Sequence, residues 1–134
     1  METWNAVRLP FTVHLPFVKI RIEKRAKELI LEFLPSKSNA LGARVIFQNV
    51  VAFKWSDDCF DSISEATPQK IPKLDEGGSG AYPLVEAITS DWINSFGEAQ
   101  RLTFQYCKHF KLFSEGDTYD VLTTSVPVLE TVKS

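Results

Sequence analysis

Along much of the chain apolar and polar residues alternate with a period of two, which places successive side chains on opposite faces of a β-strand. From Phe17 to Glu23, Val18, Ile20 and Ile22 point one way and Lys19, Arg21 and Glu23 the other. Glu28 to Leu34 repeats the pattern with Leu29, Leu31 and Phe33, and the charged link Lys24 to Lys27 makes a hairpin of the two runs. Pro35 and the Ser-, Asn- and Gly-rich stretch Ser36 to Gly42 end it. The longest β-like run, Ala43 to Trp55, slips out of phase around Gln48 and Asn49. A β-bulge or a sharp bend at Asn49 would restore the register, unless both faces are buried there.

Leu84 to Ile88 reads as a short strand. Ser90 then has the chemistry of an N-cap, Asp91 suits the positive end of a helix, and Trp92, Ile93 and Phe96 recur at helical spacing before Gly97. The expectation is a helix of about two turns, too short to persist without a sheet beneath it. Leu102 to Phe113 alternates again, with Leu102, Phe104, Tyr106, Phe110 and Leu112 on a core side. Thr103, Gln105, Cys107, His109 and Lys111 fall on a side expected to be largely wet, and the turn Ser114 to Asp117 returns the chain through Thr118 to Ser125. Residues 56–82 carry little pattern and read as a long surface loop, with room for a short helix around Cys59 to Glu65. The expected fold is one domain, residues 1–134, mainly β (α+β): a twisted antiparallel β-sandwich or a partly closed barrel with one short helix near residues 90–97.

Composition narrows the class without naming a function. At 134 residues, 44% hydrophobic and 24% charged, the chain suits one globular core, and its ten Phe, three Trp and three Tyr fit pleated surfaces. No apolar run approaches the ~18 residues of a membrane span, and Met1 to Pro10 has no secretory pattern. With only Cys59 and Cys107, free thiols and a cytoplasmic setting are expected. Net charge is -2, yet residues 1–54 hold nine Lys or Arg against four Asp or Glu, and residues 55–134 hold six against thirteen. Strands from both halves are expected to share sheets, so cancellation is favoured over two oppositely charged faces.

The chemistry-bearing residues do not assemble into a motif. His14 and His109 are far apart, and Cys107 with His109 supplies at most two ligands on one strand face, so no metal is expected. The same pair, ~7 Å apart as i and i+2 neighbours, is beyond the hydrogen-bond reach that thiol activation requires. Asp57, Asp58, Asp61 and Glu65 read as a solvated acidic edge, and Gly77 to Gly80 lacks the Lys and helix of a phosphate loop. An acidic chain without aromatics beside Lys19, Arg21, Lys24, Arg25 and Lys27 does not suit nucleic acid. No cofactor is expected, and the reading is non-enzymatic.

Three stretches carry a resemblance: Glu32 to Asp57, with Arg-Val-Ile-Phe-Gln-Asn-Val-Val-Ala-Phe-Lys-Trp-Ser-Asp; Ser90 to Phe96; and His109 to Phe113 leading to Tyr119 to Leu122. Across about two thirds of its length the chain resembles a loose set of small uncharacterised bacterial proteins, some predicted to be immunity proteins of polymorphic-toxin or contact-dependent systems. What the resemblance implies is a protein-binding module that binds and neutralises a partner toxin. Binding would need an aromatic anchor and steering charge, and the candidates are Trp55, Asp57, Asp58, Asp61, Glu65, Asp75 and Glu76. For Trp55 and Trp92, core packing is the competing reading. The alternatives are a small-molecule carrier with an apolar cavity in a curved sheet, or an unrecognised enzyme; exposed β-edges leave a homodimer open.

Overall fold

The computed structural model describes residues 2–9, 17–35, 41–57, 69–70, 84–97, 100, 104–114 and 117–133. Ten strands occur among them: β1 Glu2–Ala6, β2 Phe17–Arg25, β3 Glu28–Pro35, β4 Leu41–Phe47, β5 Val50–Asp57, β6 Gln69–Lys70, β7 Leu84–Thr89, β8 Lys108–Ser114, β9 Asp117–Thr123 and β10 Val128–Lys133. A short helix, α1, spans Asp91–Asn94. The strands form a six-stranded sheet in the order β5-β9-β8-β7-β1-β6 and a four-stranded sheet in the order β10-β4-β3-β2. Among the described residues all pairings are antiparallel except β1 with β6. Neither sheet closes on itself among the described residues, so the sandwich, not the barrel, describes the architecture.

The core lies between the sheets because the alternating positions put it there. Leu29, Leu31 and Phe33 of β3 and Ala43, Val45 and Phe47 of β4 face Leu84, Phe110, Leu112, Tyr119 and Val121 of the larger sheet. Phe47 and Phe110 meet with ring centroids 5.5 Å apart. Each such side chain, removed from water, stabilises the fold by roughly 1.5–3 kcal/mol before its entropy cost is counted. On the outer face of the smaller sheet, Arg21, Glu32, Arg44 and Glu130 lie in one rung across all four strands. Arg44 bonds Glu32 through Nε at 2.9 Å and Glu130 through Nη1 at 3.0 Å, and Glu32 above all raises the Arg44 pKa. Within this rung Arg44 of residues 1–54 meets Glu130 of residues 55–134 across β4 and β10.

The phase slip at Asn49 is a sharp bend. Asn49 has φ 54°, β4 ends before it and β5 begins after it in the other sheet, and a register shift follows between Val50 and Ala52. Asn is among the few residues that enter this left-handed region readily. Its side chain donates to Ser125 Oγ at 2.7 Å, which ties this crossover to the one between β9 and β10.

Two expectations are corrected and two are sharpened. Leu102 to Phe113 is not one strand: Gln100 and Phe104 are helical, the chain turns at residues 105–106, and β8 starts at Lys108. Phe104 has left the strand to pack against Phe96, with centroids 4.5 Å apart, and Tyr106 stands in solvent. The short helix expected near 90–97 is present and spans Asp91–Asn94, where Ser95 closes it on the Trp92 and Ile93 carbonyls. The weakly patterned stretch 56–82 contains β6, and β5 runs into it as far as Asp57; its other residues, among them the helix considered at Cys59 to Glu65, lie outside the described residues. Finally, the side of β8 expected to be wet is dry, since His109 and Lys111 are both buried. Strands β1 and β10, which the sequence reading leaves without assignment, complete the two sheets.

Candidate functional site

The β8–β9 hairpin pairs Ser114 with Asp117, and three steps back along both strands this register sets Lys111 opposite Asp120. On the other side of β9, Lys54 of β5 is also opposite Asp120. A carboxylate flanked by two ammonium groups across neighbouring strands is a favourable arrangement on a sheet face. This is the face turned away from the smaller sheet, and it is not open: His109 is 3% exposed, Asp120 4% and Lys111 8%. Buried polar groups must find partners, and here they find each other.

The hydrogen bonds run in a line. His109 Nε2 lies 2.6 Å from Asp120 Oδ1, and His109 Nδ1 lies 2.7 Å from Ser90 Oγ. Lys111 Nζ is 3.8 Å from the same Asp120 oxygen. In the neutral ring the carboxylate accepts from Nε2–H, which leaves Nδ1 to accept the Ser90 hydroxyl proton. Ser90 is extended, with φ -116° and ψ 115°, and its Oγ also accepts the Ile93 N–H at 3.1 Å as the N-cap of α1. One hydroxyl thus fastens the helix to the sheet and closes the relay.

Aromatic rings enclose the imidazole. Trp4 and Trp92 meet His109 edge-on, with centroids 4.9 Å and 5.4 Å away. Lys111 Nζ stands 5.0 Å from the Trp4 ring centroid and Lys54 Nζ 4.3 Å from that of Trp92. Cation–π contacts of this kind are worth about 0.5–2 kcal/mol and rise as water is excluded.

Beside the relay lies a half-open cavity of about 300 Å³ whose wall includes Ser90 and His109. Glu86, Asn94, Gln105, Cys107 and Lys108 supply polar groups, and Ile88 and Ile93 an apolar side. Lys108 Nζ is 3.8 Å from a Glu86 carboxylate oxygen. Burial pushes the Cys107 thiol above its ordinary pKa, so it is kept protonated and is a poor nucleophile. The group poised for chemistry in this wall is the Ser90 hydroxyl, held on an imidazole that a carboxylate orients. Among the described residues no cluster of three or more His, Cys, Asp or Glu could hold a metal ion.

No family model, curated protein or solved structure matches the chain.

The residues that sequence reasoning singled out are placed elsewhere. Trp55 lies on β5, at the edge of the larger sheet, and is 56% exposed, so it is not a core residue. Its Nε1 donates to Asp117 Oδ1 at 2.7 Å, which fixes the indole while its ring remains in solvent. Phe53, two residues earlier on the same face, is 37% exposed and stacks on Tyr119 with centroids 6.0 Å apart. Val51, at the register shift, is exposed as well. Trp92 is half-buried against His109. Asp57 ends β5 opposite Asp117, while Asp58, Asp61, Glu65, Asp75 and Glu76 lie outside the described residues.

The relay itself was missed. Ser90 is legible as a cap, and the hairpin register would have placed Lys111 against Asp120. Nothing local in the sequence says that α1 folds over this face, and that contact joins Ser90 to His109.

Proposed function

We propose that this chain is a protein-binding module that works by docking a partner protein along the β5 edge. One observation carries the reading. Among the described residues β5 pairs only with β9, and its free edge presents Phe53 and Trp55 in a row with Val51 exposed beside them. Large aromatic side chains held rigidly at a surface are what interface anchors require, and here both are held, by Tyr119 and by Asp117. The patch is continuous with the core through Tyr119, so a partner laid on it extends a hydrophobic layer that already exists. The outer edge of β5, which no strand covers among the described residues, is where main-chain strand addition would take place.

The resemblance to predicted immunity proteins supplies the partner class: a toxin effector that is neutralised by contact. The carrier alternative is served poorly by the cavity described above, whose wall is rich in charged and amide groups.

The test is capture of a partner by the tagged wild-type chain and by the double variant Phe53→Lys, Trp55→Ser, followed by mass spectrometry. A stoichiometric partner retained by the wild type and lost from the variant is expected. A partner held equally by both would remove β5 from the interface.

A further inference from the structure

The relay and its cavity lie apart from the β5 edge residues that carry the binding reading, and they have the parts of a catalytic site. We propose that Ser90 is the nucleophile of an acyl-transfer site that hydrolyses small acyl esters, with His109 as its base and Asp120 as the group that orients the base.

The geometry meets the requirements of an activated hydroxyl in order. Nucleophile and base are 2.7 Å apart, and base and carboxylate 2.6 Å. Both distances lie within the range for proton transfer in the ground state. Because the three side chains are almost wholly buried, the imidazolium that forms when His109 takes the proton is stabilised by Asp120 in a medium of low dielectric. The nitrogens are used in the order Nδ1 for the hydroxyl and Nε2 for the carboxylate, and the two have the same acid–base chemistry. Using Nδ1 brings the attack close to the β8 backbone, which admits only a small substrate. A cavity of about 300 Å³ sets the same limit, since it lies at the lower end of small-molecule sites.

The N-cap bond does not block the attack. Once Ser90 Oγ has given its proton to Nδ1 it has three lone pairs: one accepts the Ile93 N–H, one faces the protonated imidazole, and one forms the bond to the acyl carbon. The Ile93 N–H stays on the oxygen throughout and stabilises its developing charge. Asn94 and Gln105 belong to the cavity wall, and their side-chain amides are the donors available to a carbonyl oxygen that becomes negative; Lys108, next to His109 on β8, is directed to the opposite face of the sheet, with its Nζ 3.8 Å from Glu86. Ile88 and Ile93 offer an apolar surface to the acyl chain.

The steps balance. Ser90 Oγ adds to the ester carbonyl carbon as its proton passes to His109 Nδ1. The C–O bond to the alcohol breaks, and that proton leaves on the alcohol. Water then adds to the acyl-serine, His109 takes its proton and returns it to Ser90 Oγ, and the carboxylic acid departs. No co-reactant other than water is consumed.

The experiment uses the full chain with two probes: p-nitrophenyl acetate for turnover, and an alkyl fluorophosphonate for covalent labelling followed by peptide mapping. One equivalent of label on Ser90 is expected, with p-nitrophenol release above that of imidazole at the same concentration. Ser90→Asn keeps a side-chain acceptor for Ile93 N–H and a donor for His109, so it should fold, as circular dichroism would verify. It should abolish labelling and lower turnover by at least about 100-fold. Label on Cys107 or Lys108 in place of Ser90, turnover no greater than imidazole, or turnover that survives in Ser90→Asn would each overturn the proposal. The Phe53→Lys, Trp55→Ser variant should keep its esterase signal, so this proposal and the binding reading fail independently.

Discussion

On one side of the β8–β9 hairpin, Phe110, Leu112, Tyr119 and Val121 pack against the smaller sheet; on the other, His109, Lys111 and Asp120 are as dry but hold one another by charge and hydrogen bonds. The first face is non-directional, and its stability scales with area removed from water. The second depends on geometry. Its groups repay their desolvation only while each partner is in place. The difference teaches where substitutions should be tolerated: a conservative apolar exchange on the first face costs little, whereas removing one member of the second leaves a charge or a donor stranded in a dry site.

The comparison breaks most sharply at Asp120. Asp120→Ala withdraws the partner of both His109 and Lys111 and should destabilise the fold by about 3–5 kcal/mol. That equals the loss expected of Phe110→Ala on the apolar face. Denaturant midpoints of the two variants against wild type provide the measurement. A loss below about 1 kcal/mol for Asp120→Ala, the level of exposed ion pairs, would mean that the second face is wet.

A smaller effect is expected at Ser90. Ser90→Ala deletes the N-cap of α1 and the donor to His109 and should cost about 1–2 kcal/mol, with Ser90→Asn recovering most of it. The same urea titrations would show it. Recovery by Asn and not by Ala would separate the hydrogen-bonding role of the position from its size.

The smallest effect is a pH dependence. Burial raises the Cys107 pKa, and burial followed by the Asp117 charge raises that of Tyr119. The folded chain therefore holds protons that the unfolded chain has already released. Their contribution is complete below the unfolded thiol and phenol values and is lost as pH rises through the folded ones, so thermal stability should decline on the alkaline side. Cys107→Ser should flatten the earlier part of that decline.

Much of the fold was legible because it follows from alternation. Leu29, Leu31 and Phe33 had to share a face, the break at Asn49 had to redirect the chain, and Ser90 had to cap whatever helix followed. Alternation failed where tertiary contacts overrode it. Phe104 fits a strand by parity yet turns away to meet Phe96, and β8 reads as half-wet because parity does not say what lies above His109. The candidate site needs three separate pieces, α1, β8 and β9, and only the last two are tied by a readable turn. Trp55 illustrates the opposite limit: an apolar pattern position normally means burial, but at the edge of a sheet the same pattern runs out into solvent.

The relay on the second face is tested most directly by the tautomer of His109, read from long-range proton–nitrogen correlations in the neutral imidazole. A proton on Nε2, slow to exchange with water, with an unprotonated Nδ1 that loses its hydrogen-bond shift in Ser90→Ala, is the expected result. A proton on Nδ1, or a ring nitrogen in rapid exchange with solvent, would contradict it.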